Sequence, residues 1–372
     1  MSNAGLVVLA AGGTGGHLFP AQALAEELRR RGLRVELVTD TRAQKYTEHF
    51  PADRVHVIAS ATPRGGSLLG KLQAGLTLGR GTLQARSLLK RLKPTIVVGF
   101  GGYPTVPPVM AATMLKIPTV LHEQNAVLGA ANRALARRVT AIATGFGRLG
   151  GADGVLRAKA RDVGNPVRPA VLAAAAIPYP AFGDAGFSVL ITGGSQGARV
   201  FADIVPEALA LMPPEARAKM HIVQQARPED VARVKAAYAA SGTDAVVESF
   251  FADLPARMAA AHLVVARAGA STVAELAVIG RPAILVPFPH ALDQDQAANA
   301  AELEKSGAVK VIRQPDFTAP WVAQALEQAL DNPASLTQRA SAAKAQGRAD
   351  AASRLADLVL SVAQKHNVET KI

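Results

Sequence analysis

Several short segments combine glycines, hydroxyls and carboxylates in ways that suit chemistry. Gly12-Gly13-Thr14-Gly15-Gly16-His17 follows an apolar run at Leu6 to Ala11 and opens an amphipathic stretch. Small residues at such a point let the backbone approach a ligand while the first N–H groups of a helix face it, which suits an anion or a sugar diphosphate. A dinucleotide fingerprint with Asp40 as the ribose acid is the alternative. It would need glycine at position 18, where the chain has Leu18. No glycine loop runs into Gly-Lys-Ser/Thr, so a P-loop is excluded. Gly193-Gly194-Ser195-Gln196-Gly197-Ala198 repeats the strand–glycine–helix pattern and sets a hydroxyl among backbone donors, with simple capping by Ser195 as the plainer reading. Arg267 to Glu275 (RAGASTVAE) does so again, bringing a carboxylate that could accept two ribose hydroxyls or merely complement the helix dipole as a first-turn acid. Asp293-Gln294-Asp295-Gln296 and Asn299 form a polar cluster at another helix start.

The elements that must carry these loops are legible as alternating short apolar runs and amphipathic stretches. Strands are predicted at Leu6–Ala11, Arg34–Thr39, Arg54–Ala59, Thr95–Phe100, Thr119–His122 and Thr140–Thr144. The rhythm restarts at Phe187–Thr192 and continues through His221–Gln224, Ala245–Glu248, Leu263–Ala266, Ala283–Val286 and Val309–Ile312. Such alternation implies βαβ units and parallel sheets. The fold class is therefore α/β, with two doubly wound domains. The proline-bearing stretch around Asn165-Pro166-Val167-Arg168-Pro169 marks their boundary, and a hinge is expected near Val163 to Arg168. Arg348 to Ala363 reads as a final helix beyond the last strand, followed by a frayed tail.

A length of 372 residues suits two cores rather than one, and 49% apolar with 19% charged residues is the composition of a globular chain. There is no cysteine, which removes disulfides, thiolate zinc sites and cysteine nucleophiles and fits a reducing compartment. The N-terminus lacks a basic flank, and its apolar run is too short for a signal peptide or a membrane span. The net charge of +12 is one-sided: residues 1–167 hold 22 Lys and Arg against 9 Asp and Glu, while the rest holds 19 against 20. The first half is thus expected to meet an anionic partner, whether phosphate, nucleic acid or an acidic membrane.

Taken in order, GGTGGH, GFGGYP (99–104), HEQN (122–125), GNPVR (164–168), GGSQGA, RAGASTVAE and DQDQAANA resemble the MurG family, and the likeness runs from about Leu6 to Leu360. The family comprises transferases that move N-acetylglucosamine from UDP-N-acetylglucosamine to an N-acetylmuramyl-(pentapeptide)-pyrophosphoryl-undecaprenol acceptor. The resemblance implies a GT-B fold, two Rossmann-like domains facing across a cleft. It implies residues 1–167 as an acceptor- and membrane-binding domain, 168–346 as the UDP-sugar domain, and 347–372 as a helix returning to the first domain, with a tail. It further implies an inverting reaction on the 4-hydroxyl of the lipid-linked muramyl sugar (lipid I to lipid II) in peptidoglycan synthesis. The place implied is the cytoplasmic face of the bacterial plasma membrane, peripherally attached. Arg168 and Ser195 would meet the diphosphate, the Phe251 backbone the uracil, and Ala270, Ser271, Thr272, Val273, Ala274 and Glu275 the nucleotide, with Glu275 on ribose. Gln296 would hold sugar hydroxyls, and Thr14, Gly15, Gly16 and Asn125 would reach the N-acetylglucosamine. Phe251 stands where the family often has Ile, and Asp295 where it often has His or Gln, which leaves the hydrogen bonding around the sugar open.

The transfer needs a base for the acceptor hydroxyl. His17 is one candidate, because the positive end of a helix dipole disfavours imidazolium and keeps the ring able to accept a proton. A purely hydrogen-bonding His17 is the alternative, and His122 and Glu123 are the other candidates. Asp293 and Asp295 could pass for a metal-binding DxD pair, but the diphosphate already has Arg, Ser and helix N-termini, so no catalytic metal and no cofactor is expected. A UDP-sugar epimerase or a transferase with a soluble acceptor would share the donor half and differ in the first domain. A nucleic-acid binder is disfavoured by only 4 Tyr and 1 Trp and by the absence of interleaved aromatic and basic residues. Finally, leucines and cations alternate between Ser67 and Lys93, with Gly75, Gly79 and Gly81 interrupting the first half. The expectation is that Leu68 to Leu83 is partly exposed and docks on anionic lipid.

Overall fold

The computed structural model describes residues 5–12, 15–42, 47–62, 67–147, 149–183, 186–194, 197–289 and 295–369. The chain forms two compact units, one of residues 1–168 with 349–372 and one of residues 169–348.

In the first unit, β1 (Leu6–Ala10), α1 (Gly15–Arg30), β2 (Arg34–Thr39), β3 (Arg54–Val57), α2 (Leu68–Leu92), β4 (Ile96–Gly99) and α3 (Val106–Met114) lead to β5 (Thr119–Glu123). Then α4 (Ala130–Ala136), β6 (Ala141–Thr144), α5 (Gly154–Lys159) and β7 (Ala160–Asp162) complete a parallel sheet of order β3-β2-β1-β4-β5-β6-β7. Strand β1 is apolar throughout because it is covered on both faces, as parallel strands are. Val7 and Leu9 pack with Leu18, Leu24 and Leu28 of α1, while Leu6 and Val8 pack with Leu88 and Leu89 of α2 and Val109 of α3.

The second unit runs α6 (Pro169–Ala175), β8 (Phe187–Thr192), α7 (Arg199–Leu211), α8 (Pro214–Arg217), β9 (Met220–Gln225), α9 (Val231–Ser241) and β10 (Asp244–Glu248). It continues with α10 (Leu254–Ala260), β11 (Leu263–Ala266), α11 (Ala270–Ile279), β12 (Ala283–Leu285), α12 (Asp295–Lys305), β13 (Val309–Val311), α13 (Ala319–Asp331) and α14 (Pro333–Ala345). Its sheet is also parallel, in the order β10-β9-β8-β11-β12-β13. Phe187, Val189 and Ile191 of β8 anchor its core against Phe201 and Val205 of α7 and Val322 and Leu326 of α13.

The last helix, α15 (Ala351–Glu369), belongs to the first unit. Leu355, Ala356 and Val359 are fully buried in the same cluster as the α1 leucines. Arg31 fastens the contact, donating to Asp357 Oδ1 at 2.5 Å and Ser353 Oγ at 2.8 Å.

Two features differ from the sequence reading. Strand β7 lies outside the predicted set, because Ala160-Arg161-Asp162 is a short, polar edge strand without an apolar run. Helix α2 is continuous despite its glycines. Gly81 is required there, since a Cβ would lie 2.0 Å from the Ala59 carbonyl oxygen, whereas Gly75 and Gly79 face open space.

Candidate active site

In open α/β sheets a ligand binds beyond the carboxyl ends of the strands, at the point where strand order reverses. That point lies between β1 and β4 in the first unit and between β8 and β11 in the second. The four segments that leave these strands are the GGTGGH, GFGGYP, GGSQGA and RAGASTVAE loops.

In the first unit the β1 and β4 loops touch through His17. Gly101 and Gly102 adopt positive φ (82° and 70°), and a Cβ on either would lie 3.4 Å from the His17 ring. Glycine is needed at both for conformation, and at Gly101 also for room, since a Cβ there would lie 3.2 Å from Asn132 Nδ2. The residue keeps some exposure, yet burial of its imidazole lowers the pKa from 6.5 to about 4. His17 is therefore neutral at neutral pH, with burial rather than the helix dipole as the cause. Gly15 lies under Phe19, whose ring in turn carries the Arg168 guanidinium at 4.1 Å. Gly15 is half-buried and Gly16 exposed at the start of α1. Thr14 lies outside the described residues.

His122 and Glu123 sit at the carboxyl end of β5 and are committed to the scaffold. His122 is fully buried: its Nε2 faces the Gly164 carbonyl at 3.1 Å, and its Nδ1 meets the Gln124 Nε2 amide at 3.2 Å. A ring that donates at Nε2 and accepts at Nδ1 is neutral, and burial holds its pKa at about 4 despite the bond to Gly164. Glu123 is 2% exposed. Its Oε1 accepts from the Asn125 backbone at 3.0 Å, and its Oε2 accepts from the Gly129 backbone and Asn132 Nδ2, each at 2.9 Å. Burial pushes the Glu123 carboxyl up while these bonds pull it down. The polar atoms of both side chains are engaged internally, His122 with Gly164 and Gln124, and Glu123 with the loop at 125–129 and Asn132 of α4. The half-buried Asn125 is the residue they position.

Four residues to which the sequence reading gave no role complete this stitching. Gln124 Nε2 donates to the Phe100 carbonyl at 2.8 Å, and Asn165 Nδ2 to the Gln124 carbonyl at 2.9 Å. Thr105 Oγ1 lies 2.9 Å from the Ala10 carbonyl and 2.7 Å from that of Gly101. Asn132 joins Glu123 and lies against Gly101. A lone Asn in the alanine-rich Ala130 to Ala136 segment is the kind of signal that could have revealed it. Asn165 falls in the proline-bearing boundary stretch, where its neighbours in sequence mark only a linker.

In the second unit the β8 loop folds tightly. Gly194 and Gly197 have positive φ (74° and 66°), and a Cβ on Gly193 would lie 2.2 Å from the Ala198 nitrogen. The N-cap residues of α7 and α11, Ala198 and Gly269, give no side-chain hydrogen bond, so among the described residues no N-cap side chain occupies the first N–H groups of either helix. Ser195 lies outside the described residues, as do Gln196, Asp293 and Gln294. Ala270 and Val273 are buried, Ser271, Thr272 and Ala274 half-buried, and Glu275 is 7% exposed. Because α11 begins at Ala270, Glu275 falls beyond its first turn, which contains no acid. The helix-dipole reading of Glu275 is thereby removed. Phe251 is buried in the segment after β10, with Arg257 over its ring at 4.4 Å. The Gln296 Oε1 accepts from the Phe288 backbone at 2.9 Å, so contact with a sugar hydroxyl would use its NH2 group. Arg267 is architectural: it donates to the Val286 and Pro287 carbonyls and to Gln314 Oε1 at 2.6 Å.

Comparison with known proteins defines the class first. Residues 7–144 match the glycosyltransferase family 28 N-terminal domain and residues 188–355 the glycosyltransferase family 28 C-terminal domain. A UDP-N-acetylglucosamine–N-acetylmuramyl-(pentapeptide) pyrophosphoryl-undecaprenol N-acetylglucosamine transferase of Methylobacterium sp. is 58% identical over 96% of this chain and 97% of its own length. The protein of the same description from Brucella canis is 54% identical over 99% of this chain and 97% of its own. The crystal structure of Acinetobacter baumannii MurG superposes with a TM-score of 0.77 at 28% identity, covering 96% of this chain and 99% of that one. The chain belongs to the MurG family of N-acetylglucosaminyltransferases.

Proposed function

We propose that this chain transfers N-acetylglucosamine from UDP-N-acetylglucosamine to the 4-hydroxyl of undecaprenyl-pyrophosphoryl-N-acetylmuramyl-pentapeptide, with inversion at the anomeric carbon. The observation that carries the reading is the likeness, above half identity over nearly the whole length, to proteins described by that transfer. The first unit takes the acceptor and the second the donor. Uracil meets the Phe251 backbone, ribose meets Glu275, and the first N–H groups of α7 and α11, with Ser195 and Arg168, take up charge as UDP leaves. Thr14, Gly15, Gly16, Asn125 and Gln296 orient the sugar. His17 receives the acceptor proton. With a pKa near 4 it is a weak base in the free protein, and an anion brought to the β1 loop would raise that pKa toward the useful range.

Attachment to the membrane is peripheral, at the cytoplasmic face. Among the described residues no helix is long and apolar enough to cross a membrane. On α2, Leu72, Leu76 and Leu83 are 61%, 68% and 66% exposed, and Lys71 and Arg80 are exposed beside them. Leucines for insertion and cations for anionic headgroups make this a docking strip.

Incubation with UDP-N-acetylglucosamine and a short-chain form of the lipid acceptor tests the transfer. UDP release that requires the acceptor, and is not replaced by free sugar, supports it. Release that ignores the acceptor rejects it.

A further inference from the structure

Arg227 follows β9 by two residues, and β9 neighbours β8 in the sheet, so Arg227 stands at the same carboxyl edge as the GGSQGA loop. Its side chain lies directly against that loop: a Cβ on Gly197 would be 2.9 Å from Arg227 Cγ. The left-handed glycine therefore lets the β8 loop close onto the arginine stem. On the other side of β8 is Arg267, at the end of β11. The two cations are near enough that Arg227 helps to lower the Arg267 pKa, after burial of Arg267 itself.

The two arginines differ in what their polar atoms do. Arg267 places both of its terminal nitrogens on internal acceptors, two carbonyls and Gln314. The Nε of Arg227 is buried with no hydrogen-bond partner among the described residues. Asp230, the nearest buried acid in sequence, gives its Oδ1 to Arg233 at 2.8 Å, and its Oδ2 makes no hydrogen bond to Arg227 among the described residues. A buried guanidinium N–H without an acceptor, repelled by a second guanidinium, is costly unless an anion completes it. The start of α7, whose N-cap residue Ala198 gives no side-chain bond, adds partial positive charge at the same edge.

We propose that Arg227 is a binding residue for the diphosphate of the nucleotide, holding it from the β9 side of the GGSQGA loop. This rests on the donor site proposed for the second unit and adds to it a residue that no motif marks. A diphosphate oxygen fills the open acceptor position at Nε, and the guanidinium shares the negative charge that grows on UDP as the glycosidic bond breaks.

The test is calorimetric binding of UDP and of uridine to wild type, Arg227→Gln and Arg227→Lys in the full chain, each checked for an unchanged thermal transition. Loss of a hydrogen bond to a charged group is expected to weaken UDP by about tenfold or more in Arg227→Gln, while uridine is unaffected. Arg227→Lys keeps the charge and is expected to retain most of the UDP affinity at low salt. Unchanged UDP affinity in Arg227→Gln, or equal weakening of UDP and uridine, overturns the assignment while leaving the donor site standing. Wild type that binds neither ligand overturns the donor site as well.

Discussion

Replacing Glu123 by Gln separates a scaffold carboxylate from a catalytic one. In the structure each oxygen has its own donors: Oε1 takes the Asn125 backbone at 3.0 Å and Asn125 Nδ2 at 3.5 Å, and Oε2 takes Gly129 N and Asn132 Nδ2 at 2.9 Å each. A glutamine can keep only one acceptor. Its lower-cost orientation keeps the oxygen toward Gly129 and Asn132 and turns NH2 toward Asn125, leaving that part-buried N–H facing a donor. One unsatisfied buried donor costs about 1–3 kcal/mol, and two bonds drop from charged to neutral strength. Against this, removal of a buried charge returns part of its desolvation cost, the same effect that pushes the carboxyl up. The net is a destabilisation of about 2 kcal/mol, or roughly 4–8 °C in the transition of the first unit. Urea and thermal unfolding measure that loss. Steady-state turnover at a temperature where the variant is folded measures the chemistry, and a fall of less than about tenfold is expected. Unchanged stability together with a turnover lower by about a hundredfold would restore Glu123 as the base and refute its assignment to the scaffold.

Other consequences follow from neighbouring residues. Unfolded His122 binds a proton below about pH 6.5, whereas the folded residue does not until about pH 4, so its contribution to stability is complete above 6.5 and is lost as pH falls toward 4. The loss approaches about 3 kcal/mol, and Glu123 works in the opposite sense; unfolding of His122→Gln between pH 7 and 4.5 should show a flatter profile than wild type. Gly101→Ala forces a side chain into φ +82° with its Cβ 3.2 Å from Asn132 Nδ2. A cost of about 1–3 kcal/mol and a displaced His17 are expected, seen as lower kcat with unchanged KM for the UDP-sugar. Leu72→Asp combined with Leu76→Asp should abolish sedimentation with anionic vesicles and leave turnover on a soluble short-chain acceptor intact. Equal sedimentation of variant and wild type would remove α2 as the docking strip.

The fold was largely written in the alternation of apolar runs, because parallel strands covered on both faces must be apolar from end to end. Strand β2 matches its predicted span residue for residue, as do β8 and β11, and the others differ by a residue or two. Strand β7 escaped because an edge strand of Ala-Arg-Asp has no such requirement. The glycine loops are legible as tight strand-to-helix turns, since positive φ and close approach leave a composition mark. The division of labour within HEQN was not. Whether a carboxylate faces solvent or four internal donors depends on long-range partners such as Asn132 and Gly129, which spacing does not reveal. Glu275 illustrates the same gap from the other side, since where α11 starts decides whether an acid belongs to its first turn, and the sequence does not fix that start.

The transfer itself is tested most directly by its product. UDP-N-acetylglucosamine, an α-linked donor, is incubated with short-chain polyprenyl-pyrophosphoryl-N-acetylmuramyl-pentapeptide, and the purified product is examined by NMR for linkage and anomeric configuration. A β-linked N-acetylglucosamine on the muramyl 4-hydroxyl, formed one for one with UDP, is the expected result. An α-linkage, attachment at another hydroxyl, or conversion of the UDP-sugar to its 2-epimer without acceptor would contradict it.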